Sequence, residues 1–269
     1  MERKLAICVI HGIGSPDPGF ADEMIEEIDS RVAGSGHDAG AIVWKTIHWS
    51  DVLEFRQRAY LDAARRSAEL DYLRLRRFVI EGLGDAAAYH RNPTRHASTY
   101  ERIHARIREA LAEVYEQPLG RRAAPLIFLA HSLGSYIVSN YIWDVQHAPS
   151  RAGGNAFERL ETLSGIVSFG STIPLHVLAY DEIVPIVFPP QNLPARLRRK
   201  ARWLNFYDPD DVLGYPLRPI NAAYRRVVHR DIAINVGGLG SSWNPRSHSR
   251  YWTDDDFTRA VARFVTSFL

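Results

Sequence analysis

The chain has 269 residues, 46% of them hydrophobic and 24% charged, a length that buries roughly 73% of the surface its unfolded form exposes. Disordered, collagen-like and disulfide-scaffold classes are excluded on composition. Lys+Arg number 33 against 31 Asp+Glu, a formal charge of +2 that is too balanced to argue for a nucleic-acid partner. Almost all the cations are arginine, with lysine only at Lys4, Lys45 and Lys200. The single cysteine, Cys8, cannot form an internal disulfide and lies in an apolar run, so a reducing, cytoplasmic compartment is expected. No segment approaches the roughly 18 to 20 apolar residues of a membrane span. Met1-Glu2-Arg3-Lys4 ahead of Leu5 to Ile10 looks superficially like a signal peptide. Its apolar stretch is too short, and it runs into His11-Gly12-Ile13-Gly14 without a small-residue cleavage site.

In chain order, Leu5 to Ile10 is a continuous apolar run, expected for a parallel strand covered on both faces. Asp17-Pro18 offers an N-cap and a first-turn proline, after which Phe20, Met24, Ile25, Ile28 and Val32 mark one face of a helix that Gly34-Ser35-Gly36 ends. Strands are predicted at Ala41 to Trp49, Leu126 to Ala130, Gly165 to Phe169, Trp203 to Tyr207 and Ile232 to Val236. Between them, Ser98-Thr99-Tyr100-Glu101 has capping-box spacing ahead of the stripe Tyr100, Ile103, Ile107, Leu111, Val114. At the end, Asp254, Asp255 and Asp256 suit the positive pole of a last helix docked by Phe257, Val261, Phe264, Val265 and Phe268. The alternation of strands and helices implies an α/β architecture with a mostly parallel sheet flanked by helices. With no repeat and no low-complexity linker, one domain over 1–269 is expected, with insertions near 51–92, helical and rich in Ala, Arg and Leu, and near 171–200, apolar and proline-rich. Such insertions either cover the end of the sheet as a lid or pack against the surface or another subunit.

Ala130-His131-Ser132-Leu133-Gly134 follows the strand Leu126 to Leu129 and leads into a helix through Tyr136, Ile137, Asn140 and Tyr141. A strand, a tight turn with serine at its apex and a helix make a nucleophile elbow. The residues two before and two after the serine must then be small, which Ala130 and Gly134 satisfy. The geometry exposes the hydroxyl above the sheet and aims the Leu133 amide at an oxyanion formed there. A second donor has to come from a facing loop. The glycine turn His11-Gly12-Ile13-Gly14 at the end of the first strand can approach closely enough for Gly12 and Ile13 to serve. It lacks the lysine of a P-loop, and Gly12, Gly14 and Gly19 do not match the dinucleotide fingerprint.

On these two motifs, an acid after a later strand and a histidine near the end, the sequence resembles the α/β-hydrolase superfamily, in its serine lipase and esterase branch. The resemblance implies a triad in the order serine, acid, histidine and, since the His-Gly turn follows the first strand of the chain, a compact version of the fold. For the acid, Asp208-Pro209-Asp210-Asp211 follows the strand Trp203 to Tyr207. Asp211 fits the family pattern best, Asp210 competes with it, and Asp208 caps the turn. For the base, eleven histidines are available. His248, in Ser247-His248-Ser249-Arg250-Tyr251-Trp252, lies after the last strand and before the terminal helix, where the family carries its base. His229 precedes that strand, His96 and His104 belong to the capped helix or its approach, and His131 cannot turn onto its neighbour's hydroxyl.

The expected activity is cleavage of carboxylic esters through Ser132, Asp211 and His248, with a small-molecule ester or lipid as substrate and no cofactor or metal. The histidines lack H-E-x-x-H spacing, and one cysteine cannot build a structural zinc site. The alternative is a hydrolase-like module that binds an apolar ligand or a protein without catalysis. A further alternative is membrane-surface contact through Arg65, Arg66, Arg74, Arg76 and Arg77, interleaved with Tyr72, Leu73, Leu75 and Phe78. The oligomeric state is left open.

Overall fold

A computed structural model describes residues 4–90, 98–148, 154–236 and 247–269. Six strands, β1 (Leu5–Ile10), β2 (Ile42–Ile47), β3 (Leu126–His131), β4 (Leu163–Phe169), β5 (Arg202–Tyr207) and β6 (Arg230–Ala233), form one sheet in the order β2-β1-β3-β4-β5-β6. Every pairing in it is parallel. All residues of β1, β3 and β4 are buried. Interior strands covered on both faces favour apolar side chains: β1 and Leu126–Ala130 of β3 read as unbroken hydrophobic runs, while β4 carries Ser164 and Ser168, whose buried hydroxyls donate to the Thr162 carbonyl (2.9 Å) and Asn205 Oδ1 (2.8 Å). Each fully buried Leu, Ile or Phe in them stabilises the fold by roughly 1.5–3 kcal/mol.

The helices are α1 (Asp22–Gly34), α2 (Asp51–Ser67), α3 (Leu73–Ala88), α4 (Thr99–Glu116), α5 (Leu133–His147), α6 (Ile173–Val177), α7 (Ala195–Arg198), α8 (Ala222–Val227) and α9 (Asp255–Thr266). α1 packs on α9, while α4 packs on β2 and α5, and α5 on β3. Right-handed crossovers that move in opposite directions along the sheet leave their helices on opposite faces, which yields the helix-flanked parallel sheet expected. β1 is followed by a crossover to one side and β3 by a crossover to the other. The order therefore reverses between these neighbours, and the crevice beyond their carboxyl ends is where such sheets bind ligands.

Three boundaries differ from the sequence reading. Asp17 does not cap α1: its carbonyl accepts from the Phe20 amide in a turn with Pro18 at the second position, and the helix begins at Asp22 without a side-chain cap. The last strand is Arg230–Ala233 rather than Ile232 to Val236. Ile234 and Val236 are buried, but β6 is a short edge strand, and the Val236 amide donates to Asp208 Oδ2 (2.7 Å) instead of to a ladder. The Ile234 amide still donates to the Tyr207 carbonyl at the end of β5 (3.0 Å), and beyond it apolar character signals burial, not pairing. The segment predicted as a loop around His248 is a 3-10 helix, Ser247–Thr253. Elsewhere the local signals agree with the structure. Ser98 Oγ accepts from the Glu101 amide at the start of α4, and Asp254 Oδ1 accepts from the Phe257 amide at the start of α9. Residues 51–90 fold into the α2–α3 arm, and residues 171–200 carry the short α6 and α7. Among the described residues no helix is long and apolar enough to cross a membrane.

Candidate active site

Ser132 sits between β3 and α5 with φ 52° and ψ −125°, a strained conformation for a non-glycine residue that costs roughly 1–3 kcal/mol and persists only where surrounding contacts hold it. Its amide donates to the Phe169 carbonyl (3.0 Å), and its carbonyl accepts from Ser135 Oγ (2.6 Å). Gly134 has to be small: a Cβ there would lie 2.5 Å from the His11 carbonyl oxygen. Gly12 approaches from the end of β1 so closely that its Cβ would lie 2.5 Å from Ser132 Cβ and 3.0 Å from Oγ. Among the described residues neither the Ile13 nor the Leu133 amide has an acceptor, and Leu133 opens α5, whose first amides are unpaired by construction.

His248 and Asp211 arrive from the carboxyl ends of later strands. His248 Nε2 lies 2.7 Å from Ser132 Oγ, and His248 Nδ1 lies 2.8 Å from Asp211 Oδ2. The three side chains thus form one hydrogen-bonded chain, all buried. Asp210 is exposed and contributes only its amide, to Asp208 Oδ1 (2.8 Å), so of the two adjacent carboxylates only Asp211 meets the imidazole. Asp208 does brace the turn as expected, taking the amides of Asp210 and Val236 on its two oxygens. Burial opposes the charge on Asp211, but hydrogen bonds from His248 Nδ1, the Leu213 amide (3.0 Å) and Tyr251 Oη (3.0 Å) outweigh it and hold the carboxyl below its ordinary range.

Several neighbours have no counterpart in the motif reading. Tyr251, fully buried, donates to Asp211 while accepting from the Asp208 amide (2.8 Å). Its place three residues after His248 becomes a signal only once the segment is known to be a 3-10 helix, in which residues three apart eclipse, so that Tyr251 falls on the side of His248. His131 Nε2–H donates to the His248 carbonyl (2.7 Å), tying the elbow to the backbone of the imidazole that faces it. His11 Nδ1–H donates to the Gly12 carbonyl (2.9 Å) while Nε2 accepts from the Trp49 amide (3.1 Å), with the rings of His11 and Trp49 stacked 5.0 Å apart. Anchoring the Gly12 carbonyl directs the Ile13 amide of the same planar peptide to the opposite side. Burial is the leading cause that pushes both His131 and His11 down to about 3, so both rings are neutral near pH 7.

His48 packs against His11, ring centroids 5.1 Å apart, and neither of the two other described candidates for the base bonds to Ser132 or Asp211. His104 is a core residue bonded to Tyr89 Oη (2.7 Å) and close to Asp144, His229 is exposed beside β6, and His96 falls outside the described residues. The α2–α3 arm leaves Phe55, Tyr72, Leu75 and Leu83 largely exposed. Beside α5 lies a cavity of about 540 Å³ lined by Tyr100, Tyr136, Ser139, Trp143, Val177 and Ile183 among others. Tyr136 stands one helical turn beyond Ser132.

No family model and no curated protein matches this chain. Among solved structures it is similar to a dienelactone hydrolase from Anabaena variabilis (11% identity, 99% of this chain and 85% of that one, TM-score 0.43). It is also similar to an esterase domain from Rhodothermus marinus (11% identity, 97% and 86%, TM-score 0.40) and to an acetyl xylan esterase (9% identity, 98% and 98%, TM-score 0.42). At these identities and TM-scores the likeness identifies no family and no activity.

Proposed function

We propose that the protein is a serine hydrolase of the lipase and esterase type, cleaving carboxylic esters through Ser132, His248 and Asp211. The observation that carries this reading is the unbroken chain Ser132 Oγ, His248 Nε2, His248 Nδ1, Asp211 Oδ2 at 2.7 and 2.8 Å, built on a strained serine at a strand-to-helix turn. An unassisted hydroxyl is a poor nucleophile at neutral pH. With Asp211 ionised and accepting from Nδ1–H, the His248 Nε2 lone pair faces the hydroxyl and takes its proton as Oγ attacks the ester carbonyl. Asp211 stabilises the imidazolium that results. The Ile13 and Leu133 amides, with Gly12 leaving room between them, hold the negative oxygen of the tetrahedral intermediate. His248 then protonates the departing alcohol, leaving an acyl group on Ser132, and next activates water to release the acid.

The cavity beside α5, at about 540 Å³, is lined by Tyr136 and Ser139 of α5 but by none of Ser132, His248 and Asp211; it falls within the usual 300–1,000 Å³ of small-molecule sites, and we assign it to the part of a small ester or lipid remote from the scissile bond. No cofactor takes part in this chemistry. A fluorophosphonate probe tests the reading: the intact protein takes the label covalently and Ser132→Ala does not. A folded wild-type protein that resists the probe would refute it and favour a non-catalytic binding module.

A further inference from the structure

The turn after β1 is held from outside the sheet. The Gly14 amide donates to Asp85 Oδ2 (2.9 Å), and Asp85 Oδ1 accepts from Gln57 Nε2 (2.7 Å), whose other contact is the Ile80 carbonyl (3.2 Å). Asp85 is on α3 and Gln57 on α2, so one carboxylate joins both helices of the arm to the glycine turn 71 residues away in sequence. The same surfaces touch through Ile13, whose Cδ1 lies 3.2 Å from where a Gly82 Cβ would be. Asp85 is almost fully buried, yet no cation pairs with it among the described residues. Burial is the leading cause that pushes its carboxyl up to about 6, with Glu81, one turn earlier on α3, adding to the rise and the two hydrogen bonds opposing it. A buried carboxylate without a counter-ion is costly for stability. What it does contribute is a charge-assisted bond to the peptide adjoining the Ile13 amide.

Resting on the esterase reading above, we propose that Asp85 is a positioning residue. It locks the Gly12–Gly14 turn from the far side, as His11 does from within, so that the Ile13 amide stays aimed at the oxygen of the tetrahedral intermediate. The arm is then a brace for the reaction centre as well as cover for it. Oxyanion donors act only when preorganised, and a displacement of about 1 Å costs on the order of a hundredfold in rate.

The test uses the full-length protein with p-nitrophenyl butyrate, and fluorophosphonate labelling of Ser132 as the check on the underlying reading. In Asp85→Ala the turn loses its anchor, and kcat falls about 10- to 100-fold with KM within about twofold. Asp85→Asn keeps an acceptor for the Gly14 amide and removes the buried charge. Its kcat falls only about threefold, while its Tm at pH 8 equals or exceeds that of wild type. This separation of rate from stability is what a merely structural residue would not produce, and Asp85→Asn decides alone if Asp85→Ala does not fold. A kcat for Asp85→Ala within twofold of a labelled, active wild type would overturn the proposal, as would a loss confined to KM. So would a kcat and Tm of Asp85→Asn that fall together or both stay unchanged. A wild type that neither labels nor hydrolyses ester would overturn both this and the function on which it rests.

Discussion

Asp211→Asn isolates the contribution of the carboxylate that meets His248. Asp211 Oδ2 accepts from both His248 Nδ1 (2.8 Å) and Tyr251 Oη (3.0 Å), and Oδ1 accepts from the Leu213 amide (3.0 Å). All the partners are donors. An asparagine has one acceptor and one NH₂ group, so it must either turn NH₂ toward the Leu213 amide or present it to the imidazole and the tyrosine. The second arrangement forces His248 to carry its proton on Nε2, facing Ser132, where it cannot act as base. In either case the negative charge that would stabilise the imidazolium is lost. An isosteric change of this kind in a Ser-His-Asp triad lowers kcat about 10⁴-fold, on the order of 5 kcal/mol of transition-state stabilisation. Asp210→Asn serves as the internal control, since its exposed side chain touches neither His248 nor Ser132. Both variants are assayed for kcat on p-nitrophenyl butyrate at pH 8, with circular dichroism to confirm folding. A folded Asp211→Asn within tenfold of wild type, or a larger loss in Asp210→Asn, would refute the reasoning.

Tyr251→Phe removes one donor from Asp211 and the acceptor of the buried Asp208 amide, lowering stability by about 2–4 kcal/mol at pH 7.5. Asp211 is depressed below its ordinary value of 3.8. Its contribution is therefore present above that value and lost as pH falls through the folded-state value. The urea-denaturation deficit of the variant should accordingly narrow as pH is lowered stepwise from 7.5 through the folded-state value, and a deficit that stays constant down to the pH at which the wild type itself unfolds would argue against the tyrosine's role. Gly12→Ala forces a Cβ to within 2.5 Å of Ser132 Cβ, so the turn has to retreat. kcat should drop about a hundredfold in a protein that remains folded, and wild-type turnover would contradict the close approach. Ser139→Trp narrows the cavity beside α5. It should lower kcat/KM for p-nitrophenyl octanoate at least tenfold more than for the acetate, and an equal effect on both esters would detach that cavity from substrate binding.

How much of this was legible in the sequence depends on how local the cause is. β1 and β3 stand out because strands buried on both faces favour continuous apolar runs, and β4 was legible only over Gly165 to Phe169, where Ser168 alone interrupts the apolar residues. Ser132 stands out because its turn imposes size limits two residues to either side, and those limits are written next to it. Position after a strand narrowed the acid to Asp210 or Asp211. Neighbouring residues point in different directions, however, and only the fold shows which of them faces the imidazole. β6 was misread at both ends because Ile234 and Val236 are buried apolar residues just past it, Ile234 keeping one amide bond to the Tyr207 carbonyl and Val236 turned to Asp208, while the ladder itself is built from Arg230–Ala233 on an edge.

The unread part has a common physical form. His131 to the His248 carbonyl, His11 to Trp49, and Gln57 through Asp85 to Gly14 are hydrogen bonds between buried groups separated by 117, 38, 28 and 71 residues. No periodicity announces them, since each partner is set by the fold and not by its sequence neighbours: Gln57 lies between Arg56 and Arg58 like any residue of a solvated helix face, and His131 looks like the end of a strand run. Tyr251 shares the side of His248 because the segment is a 3-10 helix whose repeat is three, and the sequence did not announce that helix. The cost of burying an unpaired polar group supplies the missing inference. Asp85 is a carboxylate buried between the arm and the glycine turn, pushed up to about 6 chiefly by that burial. A tighter arm could be built with leucine there, which could not hold the Gly14 amide. Retaining the costly group follows if the geometry of the turn, more than the stability of the arm, is what the position provides.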